Sequence, residues 1–144
     1  MKNTIIRKAE QADLDRVYEL ICELEQTVLD KDVFTQIYDR QISDCHYLLI
    51  VVQLNQLVVG FLSLQIKEHL HHAAKIAEII ELVIHESSRG QRIGDSLFQA
   101  GKKFAKENNC SQLELCTNVR RLRAHQFYEK QGMNKSHHCF TLTL

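Results

Sequence analysis

Two spacings of apolar residues divide the chain. Between Glu10 and about Gln26, Leu14, Val17, Tyr18, Ile21, Cys22 and Leu24 recur at helical spacing and give one apolar stripe. Asp13, three residues after a candidate N-cap at Glu10, favours that helix start electrostatically. Residues 32–43 carry a weaker stripe through Val33, Phe34, Ile37, Tyr38 and Ile42, and a loop near 27–31 between the two helices could form one wall of a pocket. Strand-type runs cover residues 3–8, Tyr47 to Val52, and Leu57 to about Lys67; Asn55 marks the turn of a hairpin between the last two. Residues 75–84 form the next strand. A helix opening near residue 91 then presents Leu97, Phe98, Gly101, Phe104 and Ala105 on one face and ends near Asn108 and Asn109. Gln112 to Thr117 reads as a strand, Arg121 to Lys130 as a helix and Ser136 to Leu144 as a final strand. The expectation is about seven strands and about four helices, without repeats.

That order does not suit a doubly wound sheet, in which strands and helices alternate throughout. At 144 residues, 44% apolar and 25% charged, the chain suits one soluble domain spanning 1–144. Its 18 basic and 18 acidic residues balance, which argues against nucleic acid or an anionic membrane as a partner. No apolar run approaches the ~20 residues of a membrane span, and the start lacks a signal-peptide pattern, so a cytoplasmic location is expected. The five cysteines, Cys22, Cys45, Cys110, Cys116 and Cys139, show no C-x-x-C spacing and read as reduced, mostly buried thiols.

The stretch from Ile80 to Leu97 carries the first chemical signal. An apolar strand ends at a polar turn, and a loop with glycines at 90 and 94 opens directly into the helix. Such a loop directs several backbone N–H groups at one place, and the helix adds the positive end of its dipole, so a phosphate-bearing ligand fits. The order Arg89-Gly90-Gln91-Arg92-Ile93-Gly94 resembles the Q/R-x-x-G-x-G/A signature of the GCN5-related N-acetyltransferases, the GNAT superfamily. The resemblance implies that Leu82, Val83, Ile84, Arg89, Gly90, Gln91, Arg92, Ile93, Gly94, Asp95 and Ser96 bind acetyl-CoA. Arg92 stands where the signature has its first glycine. It must therefore adopt ordinary right-handed geometry or carry strain.

A second region, Asn118 to Met133, is similar to the GNAT pattern N-x(n)-A-x-x-F-Y-x-x-x-G-F/M through Asn118, Ala124, Phe127, Tyr128, Gly132 and Met133. The resemblance implies that Asn118 reaches the pantetheine arm and that Tyr128 lies by the thioester sulfur. It implies the GNAT fold as well, an α+β domain with a mixed, mostly antiparallel sheet.

Acyl transfer to an amine needs a proton acceptor, an oxyanion donor and a proton for the leaving thiolate. Glu78 and Glu81 are the candidate bases; three apart on a strand, they point to opposite faces unless a bulge intervenes. A backbone N–H near Leu82 or Val83 could meet the oxyanion. Tyr128, with an ordinary phenol pKa near 10, matches the thiolate. Cys116 has no histidine at a spacing that would suggest a covalent acetyl-enzyme.

Three of the eight histidines lie in Glu68-His69-Leu70-His71-His72, where His69 and His71 would share a face if extended. Within it Leu70-His71-His72, together with Ile21-Cys22-Glu23-Leu24, Thr117-Asn118-Val119 and Ser136-His137-His138-Cys139-Phe140-Thr141, is similar to bacterial aminoalkylphosphonate N-acetyltransferases. The likeness implies a small acceptor with an amine at one end and a phosphonate at the other, such as aminomethylphosphonate or aminoethylphosphonate. His71 and His72 are then candidate substrate-binding residues or ligands of a divalent metal ion. Other acceptors, among them polyamines, aminoglycosides, amino acids and protein amines, stay open, as does a non-catalytic acetyl-CoA-binding module. The strand from Cys139 to Leu144 could pair across a homodimer.

Overall fold

The structure, a computed structural model, describes residues 3–144. Five strands form one sheet in the order β1 (Thr4–Lys8), β2 (Tyr47–Leu54), β3 (Leu57–His69), β4 (Ala74–Ile84) and β5 (Gln112–Leu115). The first four are antiparallel neighbours. The helices are α1 (Leu14–Glu25), α2 (Lys31–Ile42), α3 (Ile93–Glu107) and α4 (Leu122–Lys130). The chain forms two compact units, one up to Glu114 and one from Leu115 onward.

In the first unit, β2 and β3 read as near-continuous apolar runs because both faces of the sheet are covered. Asn55 and Gln56, both at positive φ (51° and 70°), make the tight turn between them. On one face Leu14, Val17, Leu20 and Ile21 of α1 and Tyr38 of α2 pack with Leu49, Val51, Phe61 and Val83. On the other lies α3: a Cβ on Gly101 would sit 3.5 Å from Leu62 and 3.7 Å from Leu64. Leu20, Leu62, Leu64 and Leu97 are fully buried, each contributing about 1.5–3 kcal/mol through lost water contact. The start of α1 is fixed by Asp13, whose carboxylate takes the Glu10 N–H at 2.7 Å and both terminal nitrogens of Arg7, at 2.7 and 2.9 Å.

Three expectations change. The sheet has five strands rather than about seven. Ser136 to Leu144 forms no strand, because a strand needs a hydrogen-bonded neighbour and the second unit, apart from Leu115, holds only α4 as a regular element. Its Phe140, Leu142 and Leu144 are exposed. The cysteines form no disulfide but are not mostly buried: Cys22 and Cys110 are half-buried, and Cys45, Cys116 and Cys139, in turns and irregular segments outside the core, are exposed. Among the described residues no helix is long and apolar enough to cross a membrane.

Candidate active site

The two candidate bases are brought together by one extra residue. Ser63 of β3 faces Glu81, whereas the next residue, Leu64, faces Ile79, so Ile80 is bulged out of β4. The bulge resets the alternation. Glu81 lies opposite Ser63 and Glu78 opposite Gln65; Ser63 and Gln65 alternate on one face of β3, so both carboxylates share that face. Opposite faces, expected for an unbulged strand, are not what forms. Val83 is on the same face and packs under α1 and α2.

The carboxylates nonetheless differ. Glu81 is half-buried and accepts a 2.7 Å hydrogen bond from Ser63 Oγ, which in turn takes the Glu81 N–H at 3.2 Å. Burial pushes the Glu81 carboxyl above the usual carboxylate range; the Ser63 hydrogen bond opposes this and the charge of Glu25 adds to it. Glu78 is instead neutralised by a salt bridge from the Lys67 ammonium. A carboxylate of raised pKa takes a proton from an ammonium more readily.

The phase of the ladder turns two backbone donors away from β3. His85 N–H donates to Val59 O at 2.7 Å, and antiparallel pairs alternate, so Ile84 and Leu82, opposite Gly60 and Leu62, point their N–H groups away from β3. β5 begins beside Lys75, where Ser111 N–H donates to the Lys75 carbonyl at 2.9 Å. Four residues of strand span about 13 Å, too short to reach Leu82, about 20 Å along β4 from Lys75.

After β4, a 3₁₀ turn (Glu86–Ser88) leads to Gly90 at φ 79° and Arg92 at φ 60°, ψ 19°. Arg92 is thus left-handed, the strained alternative, at a cost of about 1–2 kcal/mol. Ser96 N–H and Oγ both donate to Arg92 O at 3.2 Å, which ties the loop to the first turn of α3. Residues 89–92 are exposed, and nothing lies within 4 Å of a Cβ built on Gly90. An open loop bearing Arg89 and Arg92 at the N-terminus of a 15-residue helix suits a pyrophosphate.

In the second unit, Tyr128 is half-buried on α4 with its ring 5.3 Å and 72° from that of Phe127. Burial pushes its phenol up, Arg121 opposing, so it stays protonated at neutral pH. Asn118 is exposed and builds the turn before α4: its Oδ1 accepts the Arg120 N–H at 2.9 Å and its carbonyl the Arg121 N–H at 3.0 Å.

β3 ends at His69, so His71 and His72 lie in the turn and not on an extended face. The rings gather all the same, with centroids 4.9 Å (His69–His71), 5.6 Å (His69–His72) and 4.2 Å (His71–His72) apart. His137 and His138 are exposed in the irregular C-terminal segment.

Four residues gain their roles only through the structure. Ser63 and Lys67 hold the two carboxylates. Glu23 and His85 tie α1 to the β4–α3 loop: Glu23 Oε2 lies 2.9 Å from His85 Nδ1, and Oε1 accepts the Glu86 N–H at 3.1 Å. Burial works to raise the Glu23 carboxyl, but His85, the Glu86 N–H and Arg89 together hold it below the usual range. Ser63 had a signal, as the first polar side chain in the run from Leu57. Glu23 stood in the sequence only inside the Ile21-Cys22-Glu23-Leu24 likeness, with nothing to assign it this contact, being one acid among several on the polar side of α1.

Residues 6–133 match the Acetyltransferase (GNAT) family. The chain is 40% identical over 141 residues, 96% of its length and 90% of the relative's, to the aminoalkylphosphonate N-acetyltransferase of Salmonella typhimurium. Among solved structures it is similar to a transcriptional regulator from Bacillus halodurans, with a TM-score of 0.91, 25% identity, and coverage of 99% of this chain and 100% of that one. It is also similar to an aminoglycoside N-acetyltransferase in complex with CoA, with a TM-score of 0.90, 12% identity, and coverage of 100% and 96%. At that identity the second likeness speaks for the fold alone.

Proposed function

The chain belongs to the GNAT acetyltransferase family, and from that premise we propose that it transfers the acetyl group of acetyl-CoA to the primary amine of a small aminoalkylphosphonate, with Glu81 as the base. GNAT acetyltransferases use acetyl-CoA, and this chain is an acyltransferase. The observation that carries the catalytic reading is the half-buried Glu81 carboxyl, raised in pKa and oriented by Ser63. The acceptor reading is supported by the 40% identity to the Salmonella typhimurium enzyme.

In the proposed reaction the substrate ammonium gives a proton to Glu81, directly or through one water. The freed nitrogen pair attacks the thioester carbonyl carbon, and the carbonyl electrons move onto oxygen, where the Leu82 N–H meets the developing charge. Collapse re-forms the carbonyl and breaks the C–S bond. Tyr128 gives its proton to the departing thiolate, and the surplus proton on nitrogen leaves to solvent, from which the phenol is restored. In this proposal Glu81 acts beside the Leu82 N–H, which β5 is too short to reach.

His71 and His72 are not the phosphonate partners in this proposal. Glu81 is separated along β4 from Ala74, the residue opposite His69, by about 20 Å, several times the amine-to-phosphorus span of a two-carbon aminophosphonate. Lys67 is the better partner, because Glu78 holds its ammonium on the same face as Glu81, and Glu78 and Glu81, opposite Gln65 and Ser63, stand about 7 Å apart along the strand. CoA release should therefore be measured with aminomethylphosphonate, aminoethylphosphonate, spermidine and a lysine peptide. Turnover confined to the phosphonates is expected, with Lys67→Met raising their KM more than about tenfold. Turnover on spermidine or the peptide alone would leave the acetyltransferase and remove the phosphonate.

A further inference from the structure

We propose that Glu23, in the last turn of α1, is a positioning residue for the β4–α3 loop and sets the affinity for the pyrophosphate of acetyl-CoA by fixing where that loop begins. This role rests on the acetyl-CoA reading, which direct binding of CoA tests separately.

Glu23 is a carboxylate in an unfavourable place. The C-terminal end of a helix dipole repels negative charge, and the last turn of α1 carries no basic residue to offset it. Its partners come instead from one segment far along the chain, residues 85–89. His85 Nδ1 lies 2.9 Å from Oε2, the Glu86 N–H donates to Oε1 at 3.1 Å, and Arg89 Nη2 lies 4.0 Å from Oε1. A carboxylate only accepts, so the His85 proton sits on Nδ1.

The helix does not need these contacts to stay in place, since Leu14, Val17, Leu20 and Ile21 already bury it against the sheet. The loop does. Residues 86, 87 and 89–92 are exposed, Gly90 and Arg92 stand at positive φ, and the Arg89 N–H reaches Glu86 O only at 3.4 Å. The bridge therefore lends the rigidity of a packed helix to a loop with little of its own. Holding the His85 ring and the Glu86 N–H fixes the direction in which the chain leaves β4, and so the approach of the loop to the first turn of α3, whose N-terminal end receives the phosphates in this reading. The same carboxylate keeps the Arg89 guanidinium, whose Nε donates to Ile84 O at 3.2 Å, beside the loop. Glu23 itself acts only through these residues.

The test is a calorimetric titration of the full chain with CoA. Glu23→Ala is expected to bind CoA about tenfold or more weakly than the wild type. Glu23→Gln keeps an oxygen for the Glu86 N–H and an amide N–H for the other His85 tautomer, and should stay within about twofold of the wild type. Glu19→Ala, on the exposed side of the same helix, is the control and should bind as the wild type does. All three should keep the far-ultraviolet circular dichroism of the wild type, because the buried face of α1 is untouched. In turnover with aminoethylphosphonate, Glu23→Ala should raise the KM for acetyl-CoA and leave kcat in place, while kcat/KM for S-acetylpantetheine, which lacks the pyrophosphate, should not move. The proposal is overturned by a Glu23→Ala chain that binds CoA as tightly as the wild type, by a Glu23→Gln chain impaired as much as Glu23→Ala, or by an equal loss on S-acetylpantetheine and acetyl-CoA. A wild-type chain that does not bind CoA would overturn the acetyl-CoA reading, and this role with it.

Discussion

At the level of single residues, the burial of Glu81 bears on stability and, in the proposed reaction, on catalysis. A carboxyl whose folded pKa is raised binds its proton more tightly in the folded chain. Its contribution to stability is therefore complete below the unfolded carboxylate range and is lost as pH rises through the folded value. Glu81→Gln removes that loss. The variant is expected to melt at or above the wild-type temperature at pH 8 and to lose any advantage at pH 4, which thermal denaturation at the two pH values checks. Glu78→Gln breaks only the pair with Lys67, and its kcat should fall less than about tenfold where a missing base lowers it about 100- to 10,000-fold. Arg92 offers a third case. Replacement by glycine relieves about 1–2 kcal/mol of left-handed strain but adds about 0.5–1 kcal/mol of unfolded-state freedom. Arg92→Gly should thus stabilise the chain by up to about 1 kcal/mol in urea denaturation, and a loss of that size would mean that the guanidinium has structural work in the loop.

Among the elements, β3 and β4 decide most of the site. Gly60 sits where β2, β4 and α3 crowd together: a Cβ there would lie 2.6 Å from Val52 Cγ1, 2.8 Å from Ile84 Cδ1 and 3.3 Å from Leu97 Cδ1. Gly60→Ala should cost about 1–3 kcal/mol by equilibrium unfolding, because three packed side chains must shift at once. The start of α1 depends on charge rather than packing. Hydrogen bonds from Arg7 hold the Asp13 carboxyl below its ordinary range against the opposing effect of burial. A lowered carboxyl contributes stability that is present above the unfolded pKa and lost as pH falls through the folded one. Asp13→Asn should therefore cost about 2–3 kcal/mol at pH 7, and its difference from wild type should shrink as pH falls below the ordinary carboxylate range. How much of this was readable in advance varies by element. The apolar runs of β2 and β3 and the stripes of α1 and α3 stated their class directly, because burial leaves a periodic trace. The bulge at Ile80 left none: Ile79 and Ile80 are both apolar, and register arises from pairing with β3, which a single strand does not record. The C-terminal segment misled for the converse reason, since strand-like residues such as Phe140 and Leu142 form a strand only beside a neighbour.

For the molecule as a whole, family and chemistry were legible in the short motifs of the loop and of α4, which use residue types that other demands seldom place together. Specific roles were less so. The pair Glu78 and Glu81 was visible, but their different surroundings, Ser63 on one and Lys67 on the other, come from the adjacent strand, distant in sequence. The histidine trio was visible as a cluster, whereas its separation from Glu81 appears only once the hairpin is laid out. The account rests on Glu81 drawing a proton from an aminophosphonate. The most direct measurement is the pH dependence of kcat/KM for aminoethylphosphonate, by CoA release, in wild type and Glu81→Gln. The account predicts wild-type turnover with an ascending limb set above the ordinary carboxylate range, and loss of that limb together with a fall of about 100-fold or more in the variant. No turnover of the phosphonate, or a Glu81→Gln profile that overlays the wild type, would contradict it.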